Sequence, residues 1–136
     1  YISPGTYTVT LTVWDDMGAS GSTTVTIYIE QGPMISDFRV TSTSFKLSTC
    51  WLIVSWPCIY AYATVVNNGP LPARVEVEVT AYDAMGAVAG KGNLYGPSCF
   101  SPGQSVVVEG KIFDVWGPVE SVTRVQATVI GVSPCN

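Results

Sequence analysis

The chain contains no histidine. That absence removes the side chain most often used as a general base near neutral pH, the usual zinc ligand and the base of Ser and Cys triads. Charge is scarce as well: Asp, Glu, Lys and Arg make up 12% of the 136 residues, with a formal net charge of −4. The six basic residues stand singly between Arg39 and Arg124, so there is no basic stripe to follow a phosphate backbone, and nucleic acid is not expected as a partner. No apolar run reaches the roughly 20 residues of a spanning helix. The strongest, residues 50–66, is broken by Ser55 and Pro57 and reads as paired, buried strands, so no membrane span is expected. The chain also lacks a C-x-x-C pair and an Asn-x-Ser/Thr acceptor. No charged-then-apolar leader opens it, and a mature or truncated start at Tyr1 is expected.

What is present is hydrophobic and β-branched. Hydrophobic residues reach 47%, and the polar remainder is mostly Thr, Ser, Gly and Asn. The four cysteines can pair in three ways or hold a metal. Without histidine or close cysteine pairs, two disulfides are favoured over zinc, which points to an oxidising, extracellular or cell-surface setting.

Residues 6–14, Thr-Tyr-Thr-Val-Thr-Leu-Thr-Val-Trp, alternate strictly, with Tyr7, Val9, Leu11 and Val13 on one face. Residues 22–30 repeat the pattern with Val25, Ile27 and Ile29, and the Asp- and Gly-rich stretch between them supplies a turn. This is a β-hairpin with seven apolar side chains on one face. Each is worth roughly 1.5 to 3 kcal/mol when buried. Two strands alone cannot bury them, so another surface has to cover that face. The words Ser3-Pro4-Gly5-Thr6-Tyr7-Thr8-Val9-Thr10-Leu11-Thr12-Val13, then Asp15 or Asp16, Gly18 and Ser22-Thr23-Thr24-Val25, resemble the last two strands of a PKD (polycystic-kidney-disease) repeat. The family's front strands and its Trp-Asp-Phe-Gly-Asp-Gly stretch are absent. The resemblance implies a hairpin cut from a longer chain or completed by another surface.

Gln31-Gly32-Pro33 reads as a linker, and Met34 opens a second module. Strands are expected over 36–43, with Phe38, Val40 and Ser42 inward, and over 45–54 in one or two pieces. A central strand follows at 60–67, stopped by Asn67-Asn68-Gly69-Pro70. The next, 73–82, places Val75, Val77, Val79 and Ala81 inward and Arg74, Glu76, Glu78 and Thr80 outward. A Gly-rich strand is expected at 87–93 and two more at 105–113 and 121–132. If these last two form a hairpin about Gly117, Cys99 lies opposite Cys135, which leaves Cys50 to bridge Cys58. Each bridge is expected to add about 2 to 4 kcal/mol.

Val65-Val66-Asn67-Asn68-Gly69, the stretch Val77 to Gly86 and Ser101-Pro102-Gly103-Gln104-Ser105-Val106 resemble FxLYD-type extracellular sandwich domains of archaea and bacteria, over about Asp37 to Val132. The resemblance implies a fold and carries no catalytic residues. The fold expected overall is all-β: an immunoglobulin-like sandwich over 34–136, preceded over 1–31 by the hairpin of a second, incomplete Ig-like (PKD-type) module. Thr12-Val-Trp-Asp-Asp-Met-Gly-Ala19 echoes Thr80-Ala-Tyr-Asp-Ala-Met-Gly-Ala87, so both modules are expected to share one turn.

Catalysis would have to rest on carboxylates, and no loop is long enough to build a cleft around Glu76 and Glu78, which read as a solvated strand face. Asp15 and Asp16 read as turn formers. The alternative, calcium, is what some PKD-like repeats bind, yet two carboxylates are a thin supply for six to eight oxygens. No enzyme activity and no cofactor are therefore expected. The loop Cys50-Trp51-Leu52-Ile53-Val54-Ser55-Trp56-Pro57-Cys58 reads either as a buried strand or as an exposed apolar edge that docks on a neighbour, joined by Trp116. Three functions compete: a structural or adhesive subunit of a surface filament, pilus or surface layer assembled by strand complementation; an accessory spacer of a larger secreted enzyme; and a carbohydrate-binding module using Trp51, Trp56 and Trp116. The partner expected is protein, as a further copy or a neighbouring module.

Overall fold

Alternating strands separated by Gly, Asn and Pro turns leave antiparallel sheets as the only way to pair the backbone, and a computed structural model, which describes residues 3–51, 55–97, 99–112 and 114–135, shows them. The chain forms two compact units, Tyr1–Gly32 and Pro33–Asn136.

In the first unit, strands β1 (Gly5–Trp14) and β2 (Ser20–Ile29) pair with each other. Their register sets Tyr7 opposite Ile27 and Val9 opposite Val25, so the seven apolar residues share one face, with Thr23 opposite Leu11, and the other threonines lie on the opposite face. The ribbon is a two-stranded sheet.

The second unit is an all-β, immunoglobulin-like sandwich. Strands β3 (Phe38–Trp51), β4 (Ser55–Asn67) and β7 (Ser105–Ile112) form one sheet in the order β3-β4-β7. Strands β5 (Ala73–Asp83), β6 (Val88–Leu94), β8 (Asp114–Val115) and β9 (Val122–Pro134) form the other in the order β8-β6-β5-β9. The inward residues of the two sheets make one core, which includes Ile59, Ala61, Ala63, Val65, Val77, Val79, Ala81, Leu94, Val108 and Ile112. Val75 is half-buried against it. Phe100 packs edge-on to Phe38 with ring centroids 5.5 Å apart.

Three expectations are corrected. The segments expected at 36–43 and 45–54 are joined in one strand, β3, which begins at Phe38 after a 3-10 turn over Ile35–Asp37 and is described as far as Trp51, with a bulge at Thr41 between Val40 and Ser42. The extra residue reverses the side-chain parity, so Ser42, expected inward, is exposed, and Phe45 joins Phe38 and Val40 against the core. The expected pairing of 105–113 with 121–132 does not form: β7 pairs with β4 and β9 with β5. The segment between them carries the chain from one sheet to the other. On the way β8 pairs with Gly90 and Lys91, the Trp116 amide donates to the Ala89 carbonyl at 2.7 Å, and a 3-10 turn spans Val119–Ser121.

The Cys99–Cys135 bridge forms as expected, but without the hairpin from which it was expected. Cys99 and Cys135 are joined, with 5.9 Å between their Cα atoms, and so are Cys50 and Cys58, at 5.7 Å. The first pair meets at the start of β5. There Ala73 exchanges backbone hydrogen bonds with Phe100 on one side and is paired with Pro134 on the other.

Candidate interaction surfaces

Four features of the molecule have the chemistry to contact something else: the ribbon, the two matching turns, the cystine-closed tip of β3 and β4, and a cationic–aromatic cluster. On the ribbon, Tyr7, Val9, Leu11, Val13, Val25 and Ile27 are between 38% and 62% exposed, and Ile29 is half-buried. A contiguous apolar strip of this kind is uncommon on an isolated soluble unit and marks an interaction surface.

The turn that ends β1 is built by Asp15. Its Oδ1 accepts from the amides of Met17 at 3.0 Å and Ala19 at 2.8 Å, and Gly18 takes φ +84°. Asp83 builds the turn between β5 and β6 in the same way, accepting from Met85 and Ala87, both at 2.9 Å, with Gly86 at φ +82°. The echo in sequence is thus an identity of structure, and it leaves Met17 and Met85 at the two tips, 90% and 93% exposed. With Asp15 Oδ1 engaged by two amides, the carboxylate serves the turn. Asp16 is exposed beside it, and among the described residues no group of three or more His, Cys, Asp or Glu side chains comes together.

At the sandwich end, β3 and β4 run past the last β4–β7 pair, Ile59 with Ile112, and are tied there by the buried Cys50–Cys58 bridge. Trp56 is half-buried on this extension. Leu52, Ile53 and Val54 lie outside the described residues, as does the Trp51 side chain. Trp116 is 64% exposed in the connection after β8. Trp56 therefore lies on β4, whereas Trp116 follows β8 of the other sheet. Glu76 and Glu78 take partners across β5 and β6: Glu78 meets Lys91 at 2.8 Å and Glu76 accepts from Asn93 at 3.2 Å. Exposed pairs of this kind contribute at most about 1 kcal/mol.

The fourth feature carried no signal in the sequence, because register alone assembles it. Lys46, Tyr60 and Lys111 are aligned across β3, β4 and β7, as are Ser44, Tyr62 and Glu109. Lys46 Nζ lies 5.3 Å from the Tyr60 ring and 5.6 Å from the Tyr62 ring, and the two rings are 5.2 Å apart. The Tyr60 hydroxyl donates to Glu109 Oε1 over a long 3.4 Å. Desolvation, then the Glu109 charge, raises the Tyr60 pKa above its ordinary 10.0. Lys46 is raised above 10.5, foremost by Tyr62.

Among the described residues no helix is long and apolar enough to cross a membrane. No protein-family model, curated protein or solved structure matches the chain.

Proposed function

We propose that the chain is a non-catalytic extracellular structural or adhesive module, a subunit of a surface filament, pilus or surface layer in which a ribbon from one copy completes the sheet of another. The observation that carries this reading is the ribbon itself: seven apolar side chains in register on one face, six of them exposed, with hydroxyls on the other face. Strand addition suits such a surface, because main-chain hydrogen bonds supply affinity while alternate side chains supply fit. The two disulfides agree with an oxidising compartment. The reading also agrees with the likeness of the two units to PKD-type and FxLYD-type modules of cell-surface proteins.

Mass photometry and analytical ultracentrifugation of the purified chain over rising concentration test it. Dimers and longer species should appear, and Val9→Asp, on the exposed ribbon face, should abolish them. A wild-type chain that stays monomeric at high concentration overturns the reading.

A further inference from the structure

The two long sides of the sandwich are finished differently. On one, β6 and β7 close the gap between the sheets: Tyr95 and Glu109 exchange backbone hydrogen bonds of 3.0 and 3.1 Å. Packing there is so close that a Cβ on Gly110 would stand 2.7 Å from the Asn93 carbonyl oxygen. On the other side, β3 and β9 are the outermost strands of their sheets, and among the described residues neither has a strand on its outer edge. The Thr43 hydroxyl, donating to the Val125 carbonyl at 3.0 Å, spans the gap between them. A groove runs along this side. One stretch of about 380 Å³ is lined chiefly by Ile35, Phe38, Val40, Ala127 and Val129. A second, of about 260 Å³, continues it past Thr43 and Gln126.

We propose that this groove accepts strand β1 of a second copy of the chain, laid along the outer edge of β9. The proposal rests on the reading of the ribbon given above and adds the site at which it docks. The Val125 carbonyl faces β3, where Thr43 engages it, and backbone polar groups of alternate residues in an antiparallel strand point the same way, so Ala127 and Val129 present their ladder positions on this edge. Their side chains are buried while Gln126 and Thr128 are exposed. Strand β1 has the same two-residue alternation, apolar then Thr, from Tyr7 to Val13. Placed beside β9, it would turn its apolar residues toward Phe38 and Val40 and its threonines to water.

Charge agrees. The ribbon unit carries Asp15, Asp16 and Glu30 and no basic residue, whereas the charged side chain lining the groove among the described residues is Arg39. A second copy is the occupant because each chain offers both parts at once, a ribbon with its apolar face exposed and a groove with open edges. Strand β1 is the donor because β2 leads directly into the linker.

Residue-resolved amide hydrogen exchange on the full chain tests this. In labelled wild-type protein at assembling concentration, the Ala127 and Val129 amides should exchange roughly tenfold or more slowly than in dilute monomer. Labelled Val9→Asp protein should lack that protection while its core amides, such as Val77, remain protected. Adding unlabelled wild-type chain should restore it, because the variant keeps its groove. If wild-type chains associate while these two amides are unchanged, the docking site is wrong and the assembly reading stands. If they neither associate nor gain protection, both fall. If a monomer shows protection that Val9→Asp removes, the groove holds the chain's own ribbon, and docking of a second copy is overturned.

Discussion

Asn67 is buried with no exposure, and every group it offers is used. Its Nδ2 donates to the carbonyls of Leu71 at 2.9 Å and Phe100 at 3.1 Å, and its Oδ1 accepts from the Gly69 amide at 2.9 Å. Its own amide and carbonyl bond Gln104 and Gly103. One side chain thereby joins the β4–β5 turn to the loop before β7. Asn67→Ala removes these bonds from the Leu71 carbonyl and the Gly69 amide and leaves the Phe100 carbonyl with the Ala73 amide alone, and should cost about 2 to 4 kcal/mol in urea unfolding. The neighbouring Gly69 lies so close to Asp37 that an added Cβ would stand 2.6 Å from the Asp37 Cβ, so Gly69→Ala should also destabilise the sandwich. At Tyr60 and Lys46 the folded pKa values lie above the ordinary 10.0 and 10.5. A raised folded value means that the protonated form is favoured in the folded state. The associated stability is therefore complete below pH 10 and is lost as pH rises through the folded values. Thermal melts of wild type should fall over that alkaline range, and Tyr60→Phe should fall less steeply.

Among the elements, strands with strict alternation and a strong stop were legible in sequence. Tyr7 to Val13 and Val75 to Ala81 declare their apolar faces, and Asn67-Asn68-Gly69-Pro70 declares an end. Sheet membership was not legible, because alternation fixes which face is buried but not which neighbour is paired. Both β7 and β9 satisfy the pattern of a hairpin, yet the stretch between Ile112 and Val122 is too long for a tight turn and carries its own short strand. The bulge at Thr41 was hidden for a related reason: one extra residue shifts parity without changing composition. Of the candidate surfaces, the ribbon was legible because it is local. The groove and the Lys46–Tyr60–Tyr62 cluster were not, since both exist only after distant strands come together. The matching turns allow a controlled comparison. Asp83→Ala should lower the stability of the sandwich by about 1 kcal/mol through loss of two amide acceptances, whereas Asp15→Ala, in a separate unit, should leave the sandwich melt unchanged.

For the whole molecule, the two bridges do different work. Cys50–Cys58 closes a span of eight residues, and Cys99–Cys135 a span of 36. The longer loop removes more freedom from the unfolded chain, so Cys99→Ser with Cys135→Ser should cost about 3 to 4 kcal/mol by denaturant titration, more than the double substitution at Cys50 and Cys58. Neither pair of changes touches the ribbon face, so association should persist below the melting temperature.

The position of the longer bridge also determines how the molecule bears tension. A pull entering at the carboxyl end meets Cys135 and crosses by sulfur to Cys99, a covalent route that bypasses β7, β8 and β9. In single-molecule stretching those 36 residues, about 120 Å of extended polypeptide, would stay out of the contour until a reductant is added. The outer edge of β9 is thus held inside a locked loop and shielded from the force carried along the chain.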